Sequence, residues 1–344
     1  MGMKTSKGFA ASSSGTIGDA LRPLITLCLS LALVPVPARG QEREKNPQAP
    51  TGTLKASVDL VNVYVVVREK KGHLVSDLNK EDFEVTEDNV PQEIRYFARA
   101  TDTPLTLGLL IDTSPSQERV LAVEKEAGKE FIRDVLRPKD LAFVLHFDLE
   151  AELLQDFTGD PRLLSRGLDE AVINGGGQGP VPSTFPGTGG GATHLHDAVY
   201  LASAELMKNE IGRKVLILLT DGEDQGSRMK INAALEAAQK SDVILYALAV
   251  IDRPFYRGQS VGFSGDSVLK KYSQETGGEV MEVKRAKDTA AAFRQIADEL
   301  RTQYYLSYAP SNTRHDGAFR KVRVRVRQGD YKIQARRGYY APKD

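Results

Sequence analysis

The sequence predicts an α/β fold in which a doubly wound, mostly parallel sheet is inserted in a β-sandwich-like domain formed by the N- and C-terminal flanks. In residues 103–302, short runs of Val, Ile and Leu alternate with helical periodicity. This alternation is typical of parallel strands that are buried on both faces of a sheet. In residues 54–100 and 303–341, strand patterns and turn residues occur without helical periodicity. The chain has 344 residues, of which 41% are hydrophobic, and this suffices for two domains.

The composition excludes several kinds of protein. Lys plus Arg and Asp plus Glu both number 46, so the formal net charge is zero. A protein that mainly neutralises phosphate backbones usually has a strongly basic domain, so we expect no nucleic-acid partner. Cys28 is the single cysteine, which excludes a disulfide scaffold and a cysteine-ligated zinc, haem or iron–sulfur site.

Residues 1–38 are predicted to be a signal peptide. Basic residues precede an apolar run from Leu24 to Val34, which is too short to span a bilayer comfortably. Val36 and Ala38 then supply the small residues of a signal-peptidase site. An uncleaved N-terminus that serves as a membrane anchor is the alternative. In either case we expect the protein to be exported to the periplasm, the cell envelope or the medium. Residues 39–53 are predicted to be a flexible linker.

The central segment contains the elements of the predicted sheet. Strands are predicted at Leu105–Ile111, Leu141–Phe147, Ala151–Phe157, Val215–Leu219, Val243–Val250 and Glu279–Val283. Helices are predicted over residues 119–136, 162–172, 195–209, 230–240, 266–276 and 288–302. The run Ala151–Phe157 follows its predecessor after a tight connection, which favours an antiparallel edge strand. In such folds the ligand site lies beyond the carboxyl ends of the strands.

The flanks contribute further strands to the prediction. They are Val58–Val67, Phe83–Thr86, Glu93–Phe97, Tyr304–Tyr308, Lys321–Arg327 and Tyr331–Arg336, the last two being joined at Gly329-Asp330. About three strands on each side are too few for two independent sandwiches. We therefore expect residues 54–100 to pack with residues 303–341 in one β domain. Two separate small β modules are the alternative.

Polar side chains lie in three loops at one edge of the predicted sheet. Asp112, Ser114 and Ser116 follow the first buried strand in a D-x-S-x-S pattern. Thr193 precedes a predicted helix, and Asp221 follows a later buried strand. Together they offer three hydroxyls and two carboxylates, which are ligands that Mg²⁺ and Mn²⁺ prefer. The sequence therefore predicts a divalent-cation site, with Asp112 at a loop rim outside the core.

This ligand set leaves the ion electrophilic. Two carboxylates roughly balance a divalent ion, and hydroxyl ligands add little charge, so a remaining water position can accept a carboxylate from another molecule.

Each part of the pattern also has an alternative explanation that is structural. Ser114, Ser116 and Thr193 are suited to helix N-caps, and Asp221-Gly222 is suited to a turn. The presence of all three parts, in order and after the appropriate strands, favours the metal site.

On these residues, the segment 103–302 resembles a von Willebrand factor type A domain, also called an integrin I-type domain. The metal-ion-dependent adhesion site of that family has the pattern D-x-S-x-S, then a separate Thr, then a separate Asp. This sequence keeps all five positions: Asp112, Ser114, Ser116, Thr193 and Asp221. The resemblance implies that these side chains bind Mg²⁺ or Mn²⁺, with Ca²⁺ as a further candidate, and that the domain binds proteins rather than catalysing a reaction.

The flanks extend the resemblance over nearly all of the chain that follows the predicted signal peptide. Lys80-Glu81-Asp82-Phe83 and Pro91-Gln92-Glu93-Ile94, with Gly338-Tyr339-Tyr340, are similar to a von Willebrand A-related family described mostly from acidobacteria. One feature is unusual. The long Gly- and Pro-rich loop at Asn174–Gly191 precedes Thr193, the second part of the metal site, and we expect it to shape that site.

Partner recognition is predicted at the rim of the ion site. The expected partner is a protein that presents an Asp or Glu carboxylate to the ion. Thr193, His194 and Glu223 are predicted to contact it, and the loop at Asn174–Gly191 is predicted to select it. His194 and His196 are two positions apart at the start of a predicted helix, so they do not share a face and do not suggest a transition-metal site.

Other function classes compete with a metal-dependent binding module. A Mg²⁺-dependent hydrolase or phosphatase also uses a strand-terminal Asp. However, Ser114 occupies the position where an Asp-nucleophile phosphatase carries its general acid. The sequence has no G-x-S-x-G elbow and no P-loop, so we expect a protein that is not an enzyme, and no small-molecule substrate is evident. A structural spacer, with binding by the β flanks, is the other alternative.

Overall fold

The computed structural model of the protein describes residues 60–99, 103–173, 193–250 and 265–344. The predicted signal peptide, the predicted linker and the loop at Asn174–Gly191 lie outside the described residues. Every described residue belongs to one unit, Ala56–Asp344. No helix within the described ranges is long and apolar enough to cross a membrane.

The described residues form strands and helices in nearly the order that the periodicity predicts. The strands are β1 (Val61–Glu69), β2 (Phe83–Glu87), β3 (Val90–Gln92), β4 (Ile94–Arg99), β5 (Leu105–Asp112), β6 (Leu141–Phe147), β7 (Ala151–Thr158), β8 (Arg213–Thr220), β9 (Val243–Val250), β10 (Val280–Val283), β11 (Tyr304–Tyr308), β12 (Phe319–Val326), β13 (Tyr331–Ala335) and β14 (Gly338–Tyr340). The α-helices are α1 (Leu121–Val135), α2 (Pro161–Glu170), α3 (Leu195–Leu201), α4 (Ile231–Lys240), α5 (Gly265–Thr276) and α6 (Thr289–Thr302).

A six-stranded sheet in the order β10-β9-β8-β5-β6-β7 forms the centre of the fold. Its neighbouring strands are parallel except for β6 and β7, whose antiparallel pairing places β7 at the edge, as predicted. β5 lies between β6 and β8, and every residue of β5 is buried. A parallel strand that is covered on both faces needs near-continuous apolar side chains. The predicted α/β fold with a doubly wound sheet is confirmed.

Helices cover both faces of this sheet. On one face α1 packs against α6, where the rings of Phe131 and Phe293 stack with centroids 4.8 Å apart. On the other face, α3, α4 and α5 bury side chains such as Val199 against the strands. Gly108 in β5 permits this close packing, because a Cβ at that position would lie 2.4 Å from the ring of Phe143. Burial of each large apolar side chain contributes about 1.5–3 kcal/mol.

The two flanks form a pair of antiparallel sheets whose strands come from both sides of the central segment. One sheet has the order β13-β1-β11-β4 and the other has the order β14-β12-β2-β3. Val63, Leu306 and Val324 contribute to the apolar core that both sheets share. Within that core Glu87 is buried, and the hydroxyls of Tyr308 and Tyr339 each donate to its carboxylate over 2.9 Å. The predicted sandwich-like arrangement of the flanks is therefore present, whereas the domain boundaries stay a prediction.

The structure adds the pairing of the flank strands, which the sequence did not specify. The connection at Gly329-Asp330 is present, and Gly329 has φ 94°, but the strands that it joins lie in different sheets. β12 pairs with β2 and β14, and β13 pairs with β1. A crossing between the sheets lets Val324 and Ile333 reach the same core from opposite sides. Period-2 patterning identifies strands but does not specify which strands become neighbours.

One predicted helix is shorter than expected. The helix predicted over residues 195–209 continues as an α-helix only to Leu201. A single turn of π-helix follows at Ala202–Leu206, where the N–H of Met207 donates to the carbonyl of Ala202 over 2.9 Å. Helical periodicity in the sequence does not distinguish this wider turn from an α-helix.

Candidate metal centre

The carboxyl ends of β5 and β8 bring the two predicted aspartates to one edge of the central sheet. Asp112 is the last residue of β5, and Asp221 follows Thr220, the last residue of β8. The strands are adjacent and parallel, with Ile111 opposite Leu219. The loops that leave them therefore begin side by side, as expected for a site at the carboxyl ends of parallel strands.

The D-x-S-x-S loop folds back on itself and reaches the second aspartate. The backbone N–H of Ser114 donates to Asp112 Oδ1 over 2.9 Å, and the hydroxyls of Ser114 and Ser116 lie 3.0 Å apart. The hydroxyl of Ser116 donates to Asp221 Oδ2 over 2.7 Å. The structure thus joins four of the five predicted ligands in one hydrogen-bonded network.

The hydroxyls of Ser114, Ser116 and Thr193 do not cap helices, which was the alternative to a metal site. Ser114 precedes a single 3-10 turn at Pro115–Gln117, but its side chain makes no capping hydrogen bond. The residue that precedes α1 is Val120, which has no capping group. The N-cap position of α3 is occupied by His194 rather than Thr193, and it also lacks a side-chain cap.

Asp112 is fixed inside the protein rather than at an exposed rim. Its side chain is fully buried, so the prediction of a loop-rim position is wrong. The physical reason is that β5 extends one residue beyond the predicted Ile111 and carries Asp112 into the sheet. Its Oδ2 accepts a 2.6 Å hydrogen bond from the hydroxyl of Thr220, which in turn accepts from the N–H of Gly222 over 3.0 Å.

Gln117 belongs to this network, although the sequence analysis did not select it. Its side-chain amide donates to Ser116 Oγ over 3.1 Å and to Asp221 Oδ2 over 3.0 Å. Its side-chain carbonyl is buried and has no hydrogen-bond partner among the described residues. Its position directly after the D-x-S-x-S pattern could have indicated a role at the site. However, a glutamine in a loop is usually exposed to solvent and has no such role.

The electrostatics of the site favour a cation. Burial and, second, the negative charge of Asp221 raise the pKa of Asp112 to about 7, although hydrogen bonds from Ser114 and Thr220 act in the opposite direction. Two carboxylates held close together in a low-dielectric environment destabilise each other when both are ionised. A divalent ion between them would remove this repulsion and would favour the ionised form of both.

Thr193 reaches the same edge through its backbone. Its N–H donates to the carbonyl of Gln225 over 3.2 Å, and the N–H of Gln225 donates to the carbonyl of Thr193 over 2.8 Å. Gln225 lies in the loop that begins at Asp221, so this pair of bonds ties the second loop of the site to the third. Thr193 is buried.

The two other predicted rim residues have structural contacts of their own. The N–H of His194 donates to the carbonyl of Asp148 over 2.7 Å, and its ring lies 4.0 Å from the carboxylate of Asp197. The carboxylate of Glu223 accepts a 2.8 Å hydrogen bond from the N–H of Gly265, at the start of α5. Both side chains are half-buried.

A second polar cluster braces the loops beneath this edge. The hydroxyl of Thr113 lies 3.1 Å from His146 Nδ1 and 3.1 Å from Asp148 Oδ2. This cluster connects the loop after β5 to the loop after β6, because Thr113 and Asp148 follow the ends of those strands. The D-x-S-x-S loop is therefore held from two sides.

The donor chemistry fits a hard divalent cation. In the part of the chain that the structure describes, no group of three or more His, Cys, Asp and Glu side chains has a metal-holding arrangement. The candidate centre instead combines two carboxylates with hydroxyl oxygens. This is a donor set for Mg²⁺, Mn²⁺ or Ca²⁺, which take oxygen ligands and retain water, rather than for a soft transition metal.

A family comparison agrees with this site and this sheet. Residues 183–299 match the family model of the von Willebrand factor type A domain. This part of the chain is therefore similar to a von Willebrand factor type A domain. The matched residues include Thr193 and Asp221, and the parallel pairing of β5 with β8 brings Asp112 to the same edge of the sheet as Asp221. The resemblance to this family is confirmed at the level of the domain.

Several solved structures are similar to this chain. Proximal thread matrix protein 1 from the mussel byssus is 15% identical with a TM-score of 0.47, over 62% of this chain and 51% of that protein. The chain therefore spans about half the length of the mussel protein. Another structure of that protein, 16% identical over 62% of this chain and 49% of that one, with a TM-score of 0.43, has zinc in its metal-ion-dependent adhesion site.

Two bacterial proteins are also similar to this chain. BatB from Bacteroides thetaiotaomicron is 16% identical with a TM-score of 0.42, over 57% of this chain and 97% of that one. The von Willebrand factor domain of the type V pili tip protein Mfa5 from Porphyromonas gingivalis is 14% identical with a TM-score of 0.40, over 57% and 94% of the two chains. A comparison with curated proteins finds no match.

Proposed function

We propose that the protein is an exported, divalent-cation-dependent protein-binding module whose bound ion captures a carboxylate of its partner. Domains of the von Willebrand factor A type are generally protein-interaction modules rather than enzymes. The observation that carries the proposal is the convergence of Asp112, Ser114, Ser116 and Asp221 in one network at the carboxyl edge of the sheet.

The proposed ligands come from three loops. Asp112, Ser114 and Ser116 supply the first loop, Thr193 the second and Asp221 the third. Mg²⁺ or Mn²⁺ suits this set best, and Ca²⁺ is a further candidate. Bound there, the ion would supply an electrophilic centre with one water position that another molecule can take. The hydrogen bonds among these side chains preorganise the loops before an ion arrives.

The proposed ligand for the open position is an Asp or Glu side chain of a partner protein. A carboxylate is favoured because the neutral hydroxyl donors transfer little charge to the ion, so the ion stays electrophilic at its open position. Thr193, His194 and Glu223 are the proposed contacts at the rim. Glu223 also holds Gly265 at the start of α5, so partner contact at this residue would be transmitted to that helix.

The proposal for export depends on the sequence of residues 1–38. A short basic segment, an apolar run and the small residues Val36 and Ala38 form a signal-peptide pattern. We assign the mature protein to the periplasm, the cell envelope or the medium, and retention of the N-terminus as a membrane anchor is the alternative.

Capture from the native cell envelope tests the proposed function. Immobilised protein is incubated with an envelope extract in the presence of Mn²⁺ or of EDTA, with Asp221→Asn as the site variant. We expect one set of proteins to bind wild type with Mn²⁺ and to be absent in EDTA and with the variant. Replacement of the critical Asp or Glu of the partner by Asn or Gln should abolish binding. Capture of the same proteins in EDTA as in Mn²⁺ would contradict the proposal and would indicate that the β flanks bind the partner.

A further inference from the structure

A third carboxylate is buried next to the candidate metal centre. Glu124 lies in α1, the helix that follows the D-x-S-x-S loop, and its side chain is fully buried. The buried positions of this helix include Leu121, Gly128 and Phe131, which recur at the spacing of one helical face. Glu124 therefore occupies a core-facing position where an apolar residue is expected.

No described protein group replaces the hydrogen bonds to water that the carboxyl of Glu124 loses on burial. Neither of its oxygens has a hydrogen-bond partner among the described residues. Burial of a polar group without a hydrogen-bond partner destabilises the folded state. A methionine or leucine would fill the position without that cost, so stability of the fold alone does not explain a glutamate.

The charges that act on Glu124 come from the metal centre. Burial raises the pKa of Glu124 to about 8, and the negative charges of Asp112 and then of Asp221 contribute to the increase. The three acids do not converge closely enough to form a direct three-carboxylate ligand set among the described residues. Glu124 is therefore not a direct ligand together with both aspartates, although their charges act on it.

An unpaired acceptor outside a ligand shell is suited to hold metal-bound water. Water on a divalent ion is a strong hydrogen-bond donor, and outer groups that accept from such ligands orient them and strengthen ion binding. The side-chain carbonyl of Gln117 is a second buried acceptor without a partner beside the same centre. Buried acceptors without a partner, here on Glu124 and Gln117, indicate that the hydrogen bonds at this site are completed by donors other than protein groups.

We propose that Glu124 is a positioning residue of the metal centre, where its free carboxylate oxygens accept hydrogen bonds from water bound to the ion. The inference rests on the proposed function, because it requires an ion at Asp112 and Asp221. It adds a residue of α1 to a site whose other members lie at the ends of β5 and β8 and in the loops that follow them.

Titration of Mn²⁺ into three variants of the full chain tests this role. Glu124→Gln keeps the size of the side chain and removes its charge, and Glu124→Met also removes both acceptors. The matched control is Glu126→Gln on the same helix, because Glu126 is exposed and pairs with Lys129. We expect the affinity for Mn²⁺ to fall about tenfold in Glu124→Gln and further in Glu124→Met, and to be unchanged in Glu126→Gln.

Thermal unfolding without ion separates a positioning role from a structural one. Glu124→Met should raise the melting temperature of the ion-free protein, since it removes a buried uncompensated carboxyl, whereas Glu124→Gln keeps a buried polar group at the same position. Both variants should also show a smaller stabilisation by Mn²⁺ than wild type shows. If wild type binds Mn²⁺ and both Glu124 variants bind it equally well, the role of Glu124 is overturned and the proposed function stands. If wild type itself does not bind the ion, both are overturned.

Discussion

Ser116 donates a 2.7 Å hydrogen bond to Asp221, although 105 positions separate the two residues in the sequence. This contact exists because β5 and β8 are adjacent and parallel, so the loops that follow them leave the sheet side by side. The site therefore depends on the register of the central sheet rather than on either loop alone. Gln117 strengthens the link, because its amide donates to both Ser116 and Asp221.

Replacement of Thr193 should separate ion binding from partner binding. Thr193→Ala removes one neutral hydroxyl, so we expect the affinity for Mn²⁺ to fall only about threefold to tenfold. Partner binding should fall much further, since a displaced ion presents its open position at the wrong angle. The backbone bonds from Thr193 to Gln225 should persist.

Two titrations measure this difference, one of Mn²⁺ into the protein and one of the captured partner into ion-loaded protein. The control is Thr158→Ala, which also removes a threonine hydroxyl but lies in β7, an edge strand of the central sheet. Unchanged partner affinity in Thr193→Ala would place recognition outside the metal centre.

The stability of the ion-free protein should decrease as the pH rises from about 4 to about 7. The folded state raises the pKa of Asp112 from 3.8 to about 7 through burial and the charge of Asp221. The unfolded chain therefore releases the proton at lower pH than the folded protein does, and the folded state loses stability over that interval. Asp112→Asn cannot titrate, so its unfolding free energy should decrease less over the same interval.

Denaturant unfolding at pH 5 and pH 7.5 in EDTA measures this effect. Wild type should lose about 2 kcal/mol more than Asp112→Asn between the two pH values. Asp156→Asn, which changes an exposed carboxylate on β7, should behave as wild type. Parallel pH profiles for wild type and Asp112→Asn would show that Asp112 titrates near its ordinary value.

Export should remove the predicted signal peptide. N-terminal sequencing of protein from the cell envelope or the medium should begin near Arg39, because Val36 and Ala38 define the predicted cleavage site. Cleavage would also remove Cys28, so the mature protein should not react with thiol reagents. A sequence that begins at Met1 or Met3 would support the membrane-anchor alternative.

The sequence was sufficient to predict the central fold because its signals are local. Runs of apolar residues between helical segments identify buried parallel strands, and the tight connection before Ala151 identifies an antiparallel edge strand. The pairing of the flank strands was not predictable in the same way. β12 and β13 are joined at Gly329-Asp330 but belong to different sheets, and this choice depends on packing between distant segments.

The candidate site was predictable where its residues form a motif. Residue type and position were enough to select Asp112, Ser114, Ser116 and Asp221. In the structure these four residues are joined by hydrogen bonds. The burial of Asp112 was not predicted, because a shift of one residue in the end of a strand decides it.

Three residues near the site were overlooked. Thr220 and Gln117 are ordinary in type, and their roles arise only when β5 and β8 meet. Glu124 did leave a signal, since it interrupts the apolar face of a helix between Leu121 and Gly128. A charge at a core-facing helical position is uncommon and indicates either a buried partner or a functional site.

Calorimetric titration of Mn²⁺ into the purified chain and into Asp112→Asn tests the central claim most directly. The asparagine oxygen can accept from the N–H of Ser114, and its amide can donate to the hydroxyl of Thr220, so the network and the fold should persist. We expect wild type to bind one ion and Asp112→Asn to bind it more than about a hundredfold more weakly, with an unchanged or higher melting temperature in EDTA. Equal affinity for Mn²⁺ in both proteins, or binding in neither, would contradict the assignment of this edge of the sheet as a metal centre.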